Sequence, residues 1–159
     1  MTDERPPPGT SDERETLRSL LQFQRDSVVR KVDGIDDEQA RWSPVASGTS
    51  LLWLVRHLTF AEHIWFVHRF ADLEEAMPDA VAPAETIADA VAGYRAMWAQ
   101  VDEILAGAAD LDEVTRRPPD PGREPVNLRW ILGHMLEETA RHAGHADLLA
   151  ELLDGRTGR

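Results

Sequence analysis

Residues Asn127 to Gly155 read NLRWILGHMLEETARHAGHADLLAELLDG, and this stretch decides the fold class. Asn127 has the side chain of a helix N-cap, and Gly155 is the residue expected just past a helix end. Between them the reading is one long helix, Leu128 to about Asp154. Working back, Arg116-Arg117-Pro118-Pro119-Asp120-Pro121-Gly122 is dense in helix breakers and reads as an irregular connection. Before it, Ile87, Val91, Tyr94, Trp98, Val101 and Leu105 recur at helical spacing, which predicts an amphipathic helix over Thr86 to Leu105. A loop over Met77 to Pro83 precedes that helix.

Another helix is expected from a cap at Thr49 or Ser50 to about Leu73, carrying Leu51, Leu52, Leu54, Val55, Leu58, Ile64, Trp65 and Phe66. A first helix over about 11–33 follows from Leu17, Leu20, Leu21, Val28 and Val32, with Thr10 and Glu13 at the spacing of a capping box. Gly34 stops it, and Ile35 to Trp42 reads as a short helical turn leading into the loop from Ser43 to Gly48. Residues 1–10, with Pro6, Pro7 and Pro8, are expected to be a disordered lead to a single domain over 11–155. No segment alternates with period two. Four long helices predict an all-α four-helix bundle, whose ligand sites are built from side chains facing inward from different helices.

Composition narrows the function classes. The chain has 159 residues, a formal net charge of −12 and no cysteine. The acidic balance argues against binding nucleic acid or anionic membrane, both of which rely on Lys and Arg to neutralise phosphate. No apolar run approaches the ~20 residues of a membrane span, and the charged amino terminus lacks a secretory signal; a cytoplasmic protein is expected. Without cysteine there is neither a disulfide nor a thiol nucleophile of the chain's own, so sulfur chemistry would need an external thiol.

The histidines carry the chemical signal. His57, His63 and His68 fall on the second long helix and His134, His142 and His145 on the last. His134, Glu138, His142 and His145 share one face of that last helix, within an arc of about 80°. Glu138 with His142, His134 with Glu138, and His142 with His145 are each spaced to close on one ion, and spacing alone does not choose among them. The second helix can add a third ligand: His57 and His68 share a face but lie about 16 Å apart along the axis, so only one of them can join a given site; His57 interrupts a core-facing stretch, while His63 reads as exposed. A histidine among apolar neighbours is more often a buried structural residue, and paired carboxylates such as Glu74-Glu75 and Asp102-Glu103 are routine on solvated helix faces. The Glu-x-x-His pairs of a di-iron bundle and the His-Glu-x-x-His, Gly-x-Ser-x-Gly and dinucleotide motifs are absent from the sequence. Trp53, Trp65, Trp98 and Trp130 are core or pocket wall.

The stretches Ser50 to Leu58, followed by Glu62 and Trp65, and Leu128 to Asp147 together resemble the DinB-like superfamily of metal-binding four-helix bundles. The resemblance covers nearly the whole chain after residue 10. It implies a divalent metal, zinc or nickel, held by His57, Glu138 and His142; many members have histidine where Glu138 stands, and the mycothiol-dependent maleylpyruvate isomerase branch is similar in using His, Glu and His. It further implies an enzyme, a transferase or isomerase that activates a low-molecular-weight thiol such as mycothiol toward an electrophilic small molecule. A hydrolase using bound water, or a bundle merely stabilised by metal, are the alternatives. Lys31 is the only lysine, an arginine-biased composition that favours mycothiol among the thiols. His134 and His145 are then neighbours of the ligands that orient them or act as pocket acids. Arg56, Arg129 and Arg141 are candidate anchors for carboxylates of substrate or thiol, since a guanidinium pairs with them bidentately. The 74–85 and 110–126 loops are expected to line part of the substrate pocket, and a homodimer through faces of the first or third helix fits the resemblance.

Overall fold

The computed structural model describes residues 4–6, 8–9, 12–74, 85–119 and 122–158. Its helices are α1 (Glu13–Lys31), the short α2 (Asp37–Arg41), α3 (Leu51–Glu62), α4 (Ile87–Gly107) and α5 (Leu128–Asp154), with α3 running on as a π-helical segment over His63–Phe70. Among the described residues there is no strand, and a lone bridge joins Val114 to Asn127. The all-α bundle expected from the sequence is the fold.

Side-chain caps explain most of the helix starts. Ser50 accepts from the Trp53 N–H and Asn127 from the Trp130 N–H, while Thr86 and Asp89 form a capping box. Helix α1 is capped by Asp12, whose carboxylate accepts from the Glu15 N–H at 2.9 Å; Thr10, read as that cap, lies outside the described residues. Asp36 with Gln39 caps α2 in the same reciprocal way. Gly155 ends α5 at φ 77°, the left-handed region where a Cβ is unfavourable, and its N–H bonds to the Glu151 carbonyl.

Long-range pairs fix the helix directions. Arg129 reaches Glu13 at 2.7 Å and Lys31 reaches Asp147 at 2.6 Å, so α1 and α5 run parallel and pack along their length. Arg18 meets Asp102, and Arg14 donates to the Leu105 and Ala108 carbonyls, so α4 runs opposite to α1. Arg56 on α3 pairs with Glu85 just before α4, which sets these two helices parallel. Parallel neighbours of this kind are known in some four-helix folds.

The core is divided in two by a polar belt. One cluster gathers Val28, Leu52, Val55, Leu58, Tyr94 and Ala146; the other gathers Leu21, Phe66, Val101, Leu128, Ile131 and Met135. Between them stand buried polar residues from three of the helices: Arg25 on α1, Thr59 and Glu62 on α3, His63 at the start of the π-helical segment, and Thr139 on α5. Arg25 donates to both Glu62 oxygens, at 2.9 and 2.7 Å. Burial pushes the Glu62 carboxyl above its ordinary range, and the Arg25 guanidinium opposes that rise. His63, read as exposed from its position on the helix, is 2% exposed and belongs to this belt.

The second correction concerns the continuous helix expected to about Leu73. The helix ends at Phe70, and the eight residues His63–Phe70 are π-helical. The wider turn buries Phe66, Val67 and Phe70 while bringing Trp65 against Trp130 and His134 of α5. The 116–119 stretch closes the end of the segment: the Arg117 N–H bonds to the Arg69 carbonyl at 3.0 Å, and Arg69 donates to the Pro119 carbonyl at 2.7 Å. Asp72, at φ 58°, turns the chain there and pairs with the Arg117 side chain.

Candidate metal centre

His57 comes from the middle of α3, and Glu138 and His142 stand one turn apart on α5, which runs antiparallel to it. Glu138 Oε1 lies 3.0 Å from His57 Nε2 and 3.0 Å from His142 Nε2. One donor atom from each of the three residues falls within a mutual spread of 4.8 Å, and the two imidazole centroids are 4.6 Å apart at 72°. Two imidazoles and a carboxylate converging from two helices are the donor chemistry of a three-ligand site for a borderline divalent ion. The residues therefore fit a metal.

Each donor is held by a further contact. Trp53, one turn before His57 on α3, stacks on its ring at 4.7 Å and 8°, which fixes the imidazole plane. Arg141 pairs with Glu138 through Oε2 and lies 3.5 Å from Glu137, leaving Oε1 toward the histidines. His142 Nδ1 faces His145 Nδ1 at 3.2 Å. If His142 presents an unprotonated Nε2 to an ion, its proton sits on Nδ1 and is donated to His145 Nδ1, which leaves His145 with its own proton on Nε2. Such outer hydrogen bonds commonly set the tautomer and ring orientation of a metal ligand.

The other expected residues lie apart from this cluster. His134 is one turn before Glu138, stacked on Trp130 at 4.9 Å and edge-on to Trp65 at 5.0 Å. Arg69 lies over Trp65 at 4.3 Å. Arg56 pairs with Glu85 at 3.2 Å. Arg129, in the first turn of α5, bridges Glu13 and Asp112 at the end of the bundle, about 13 Å of helix rise from Glu138. Of the loops expected to line a pocket, residues 75–84, 120 and 121 lie outside the described residues. The rest of the 110–126 connection is pinned to the start of α5 through Leu128 N–H to Glu113 carbonyl and Arg129 N–H to Leu111 carbonyl. Sequence reasoning gave no role to the stacking of Trp53, although its place four residues before His57 puts both on one face of α3.

Burial holds the centre's imidazoles neutral. It lowers the pKa of His57, helped by the Arg141 charge, and lowers that of His142 to about 4, where His57, His145 and Arg141 add to it. Unfolded histidine takes its proton near pH 6.5, so between pH 6.5 and 4 the unfolded chain binds more protons at this position than the folded one. The metal-free protein accordingly loses stability as pH falls through that window. In a ring-nitrogen NMR titration of metal-free protein, His142 is expected to remain neutral at pH 5.5 and to protonate only near pH 4. A midpoint at 6.5 would contradict burial as the controlling cause.

No helix among the described residues is long and apolar enough to cross a membrane. A crystal structure described as the conserved protein of a locus from Enterococcus faecalis superposes with a TM-score of 0.64, covering 92% of this chain and 100% of that chain at 16% identity. That likeness concerns the fold. No curated protein matches in sequence. The family model for mycothiol S-transferase matches residues 16–155, a span that includes all of α2 to α5 and all three converging donors, and the chain therefore belongs to this DinB-like family.

Proposed function

We propose that the protein is a divalent-metal-dependent transferase that joins the sulfur of mycothiol to an electrophilic carbon of a small molecule, with His57, Glu138 and His142 as the metal ligands. The observation that carries the reading is the convergence of those three donors, from two helices, inside the family's matched span. Zinc is the first candidate ion and nickel the second, since imidazole and carboxylate suit both. Two neutral imidazoles and one carboxylate leave a bound divalent ion with net positive charge, which lowers the pKa of a thiol at an open position.

The chain's own residues do the rest. Trp53 and His145 hold the two imidazole planes, and Arg141 keeps Glu138 turned toward them. Arg141, exposed beside the centre, is also placed to meet a carboxylate of thiol or substrate. Arg56 and Arg129 are already engaged with carboxylates of the chain, which makes Arg141 the best placed of the three as an anchor. His134, a turn away among aromatic rings, suits a pocket wall.

The test uses protein purified without chelator or nickel resin. Elemental analysis is expected to find close to one divalent ion per chain, and conversion of an electrophile such as a 2-alkenal is expected only when mycothiol is supplied. Equal conversion without thiol, with water added to the alkenal, would make water rather than mycothiol the nucleophile and strike the thiol-transfer reading; hydrolysis of an ester or amide without thiol would assign the centre to a hydrolase. Protein that takes up no ion after incubation with zinc and with nickel would sink the metal-dependent reading.

A further inference from the structure

Beside the candidate centre lies a groove that its three donors do not explain. Pro44 and Val45 of the loop before α3 face Leu148, Leu149 and Leu152 of α5 across about 390 Å³, and His145 forms part of the wall. Among the described residues no charged side chain lines it. The hydroxyls present, Ser47 and Thr49, bond to each other at 3.0 Å. Leu148 is 61% and Leu152 65% exposed. Aliphatic side chains clustered on the surface of a chain with net charge −12 mark a binding surface more often than chance exposure.

The groove is continuous with the centre through one residue. His145 stands in its wall while His145 Nδ1 lies 3.2 Å from His142 Nδ1. The volume is that of a small-molecule pocket, about 300–1,000 Å³. Along α5 the wall from His145 to Leu152 rises about 10 Å, the length of a short organic chain.

We propose that this groove binds the uncharged, apolar part of the electrophile, an aliphatic or aryl group, so that the reacting carbon is presented on the His145 side, next to His142. The assignment rests on the transferase reading and adds to it the substrate class: electrophiles with a neutral apolar tail rather than an anionic one. With its proton on Nε2, as the tautomer of a ligating His142 requires, His145 adds a hydrogen-bond donor suited to a carbonyl at the head of such a tail.

The experiment measures binding apart from turnover. Unreactive methyl ketones from 2-butanone to 2-octanone are titrated calorimetrically into the protein as purified, and the same chain lengths are compared as 2-alkenals in mycothiol-dependent turnover. Kd is expected to fall about fourfold per added methylene, the factor for burying one such group, with kcat/KM rising in step. Leu148→Asp is expected to abolish the chain-length dependence of binding, and Leu148→Met to retain it; the exposure of the site lets both variants fold, which circular dichroism checks. A length dependence without thiol-dependent turnover would support the groove and strike the transferase reading. Turnover with no length dependence in ketone binding, or a dependence that survives Leu148→Asp, would overturn the groove. So would a dimer in sedimentation velocity that Leu148→Asp dissociates while no ketone binds, because the groove would then belong to a second copy of the chain.

Discussion

Replacing His142 with alanine is expected to leave the bundle helical, to drop its divalent ion content from about one per chain to near zero, and to lower mycothiol transfer at pH 7 by at least about 30-fold. The lower bound follows from thiol ionisation alone: a free thiol with pKa about 8.5 is roughly 3% thiolate at pH 7, so losing full ionisation forfeits a factor near 30. Lost positioning adds to it. The same argument gives a signature that general damage to the fold would not produce. The residual rate of the variant should climb about ninefold from pH 6.5 to 7.5 and about fivefold more to 8.5, following the free thiol, whereas the wild-type rate should be flatter there.

His57→Ala should behave alike, because it removes the α3 donor that meets Glu138 Oε1 at 3.0 Å. His134→Ala, a turn away and stacked on Trp130, should keep its ion. Metal uptake should also register as stability, since an ion that binds only the folded centre ties α3 to α5. Zinc at 100 times its Kd would add about 2.7 kcal/mol to the wild type and nothing to His57→Ala or His142→Ala. If both variants retain a full equivalent of ion and wild-type rates, the centre lies elsewhere.

The legible parts of this chain are those written in local chemistry. Asn127 is a cap by residue type and caps α5, and of the two cap candidates Thr49 and Ser50 it is Ser50 that caps α3; Thr86, read as the first helical residue, is the cap of α4. The i, i+4 spacing of Glu138 and His142 puts both on one face of α5 whatever the rest of the fold does. Spacing could not choose between that pair and His134 with Glu138, because the choice depends on which turn of α5 faces His57, a fact of packing. The resemblance pointed to His57, Glu138 and His142, and the geometry brings those three together.

What stayed hidden is non-local. No residue in HIWFVHRF announces a π-helical turn; packing of Trp65 against α5 and of Phe66, Val67 and Phe70 into the core accompanies it. The burial of His63 is hidden because a regular helical wheel places it away from the core-facing stripe, and because the other polar residues of the belt, Arg25 and Thr139, lie 38 residues before it and 76 after it in sequence. The apolar groove was invisible for the same reason, since its walls are Pro44 and Val45 on one side and Leu148 to Leu152 on the other.

The polar belt that divides the core sets the second large effect. Glu62 is 0% exposed and takes two bonds from Arg25, whose guanidinium also lies 5.7 Å from the Trp98 ring. Glu62→Ala should destabilise the protein by about 3–5 kcal/mol, because it leaves a buried guanidinium without its carboxylate. For a domain of this length that is a fall in Tm on the order of 10 °C, readable by thermal or urea unfolding. Glu62→Gln keeps the volume but not the charge, so most of the loss should persist. The paired variant Arg25→Leu with Glu62→Leu removes both charges together and should recover most of the stability, since a buried ion pair exchanged for apolar groups of similar size is often neutral or better. Failure of the pair to recover would mean that the belt is held by more than this ion pair, with the Tyr94 hydroxyl, which bears on the same carboxylate, as the next partner to remove. Neither residue is among the converging donors, so the folded fraction of each variant should still bind its ion. A Glu62→Gln protein of wild-type stability that no longer binds metal would reverse the assignment and make Glu62 part of the centre.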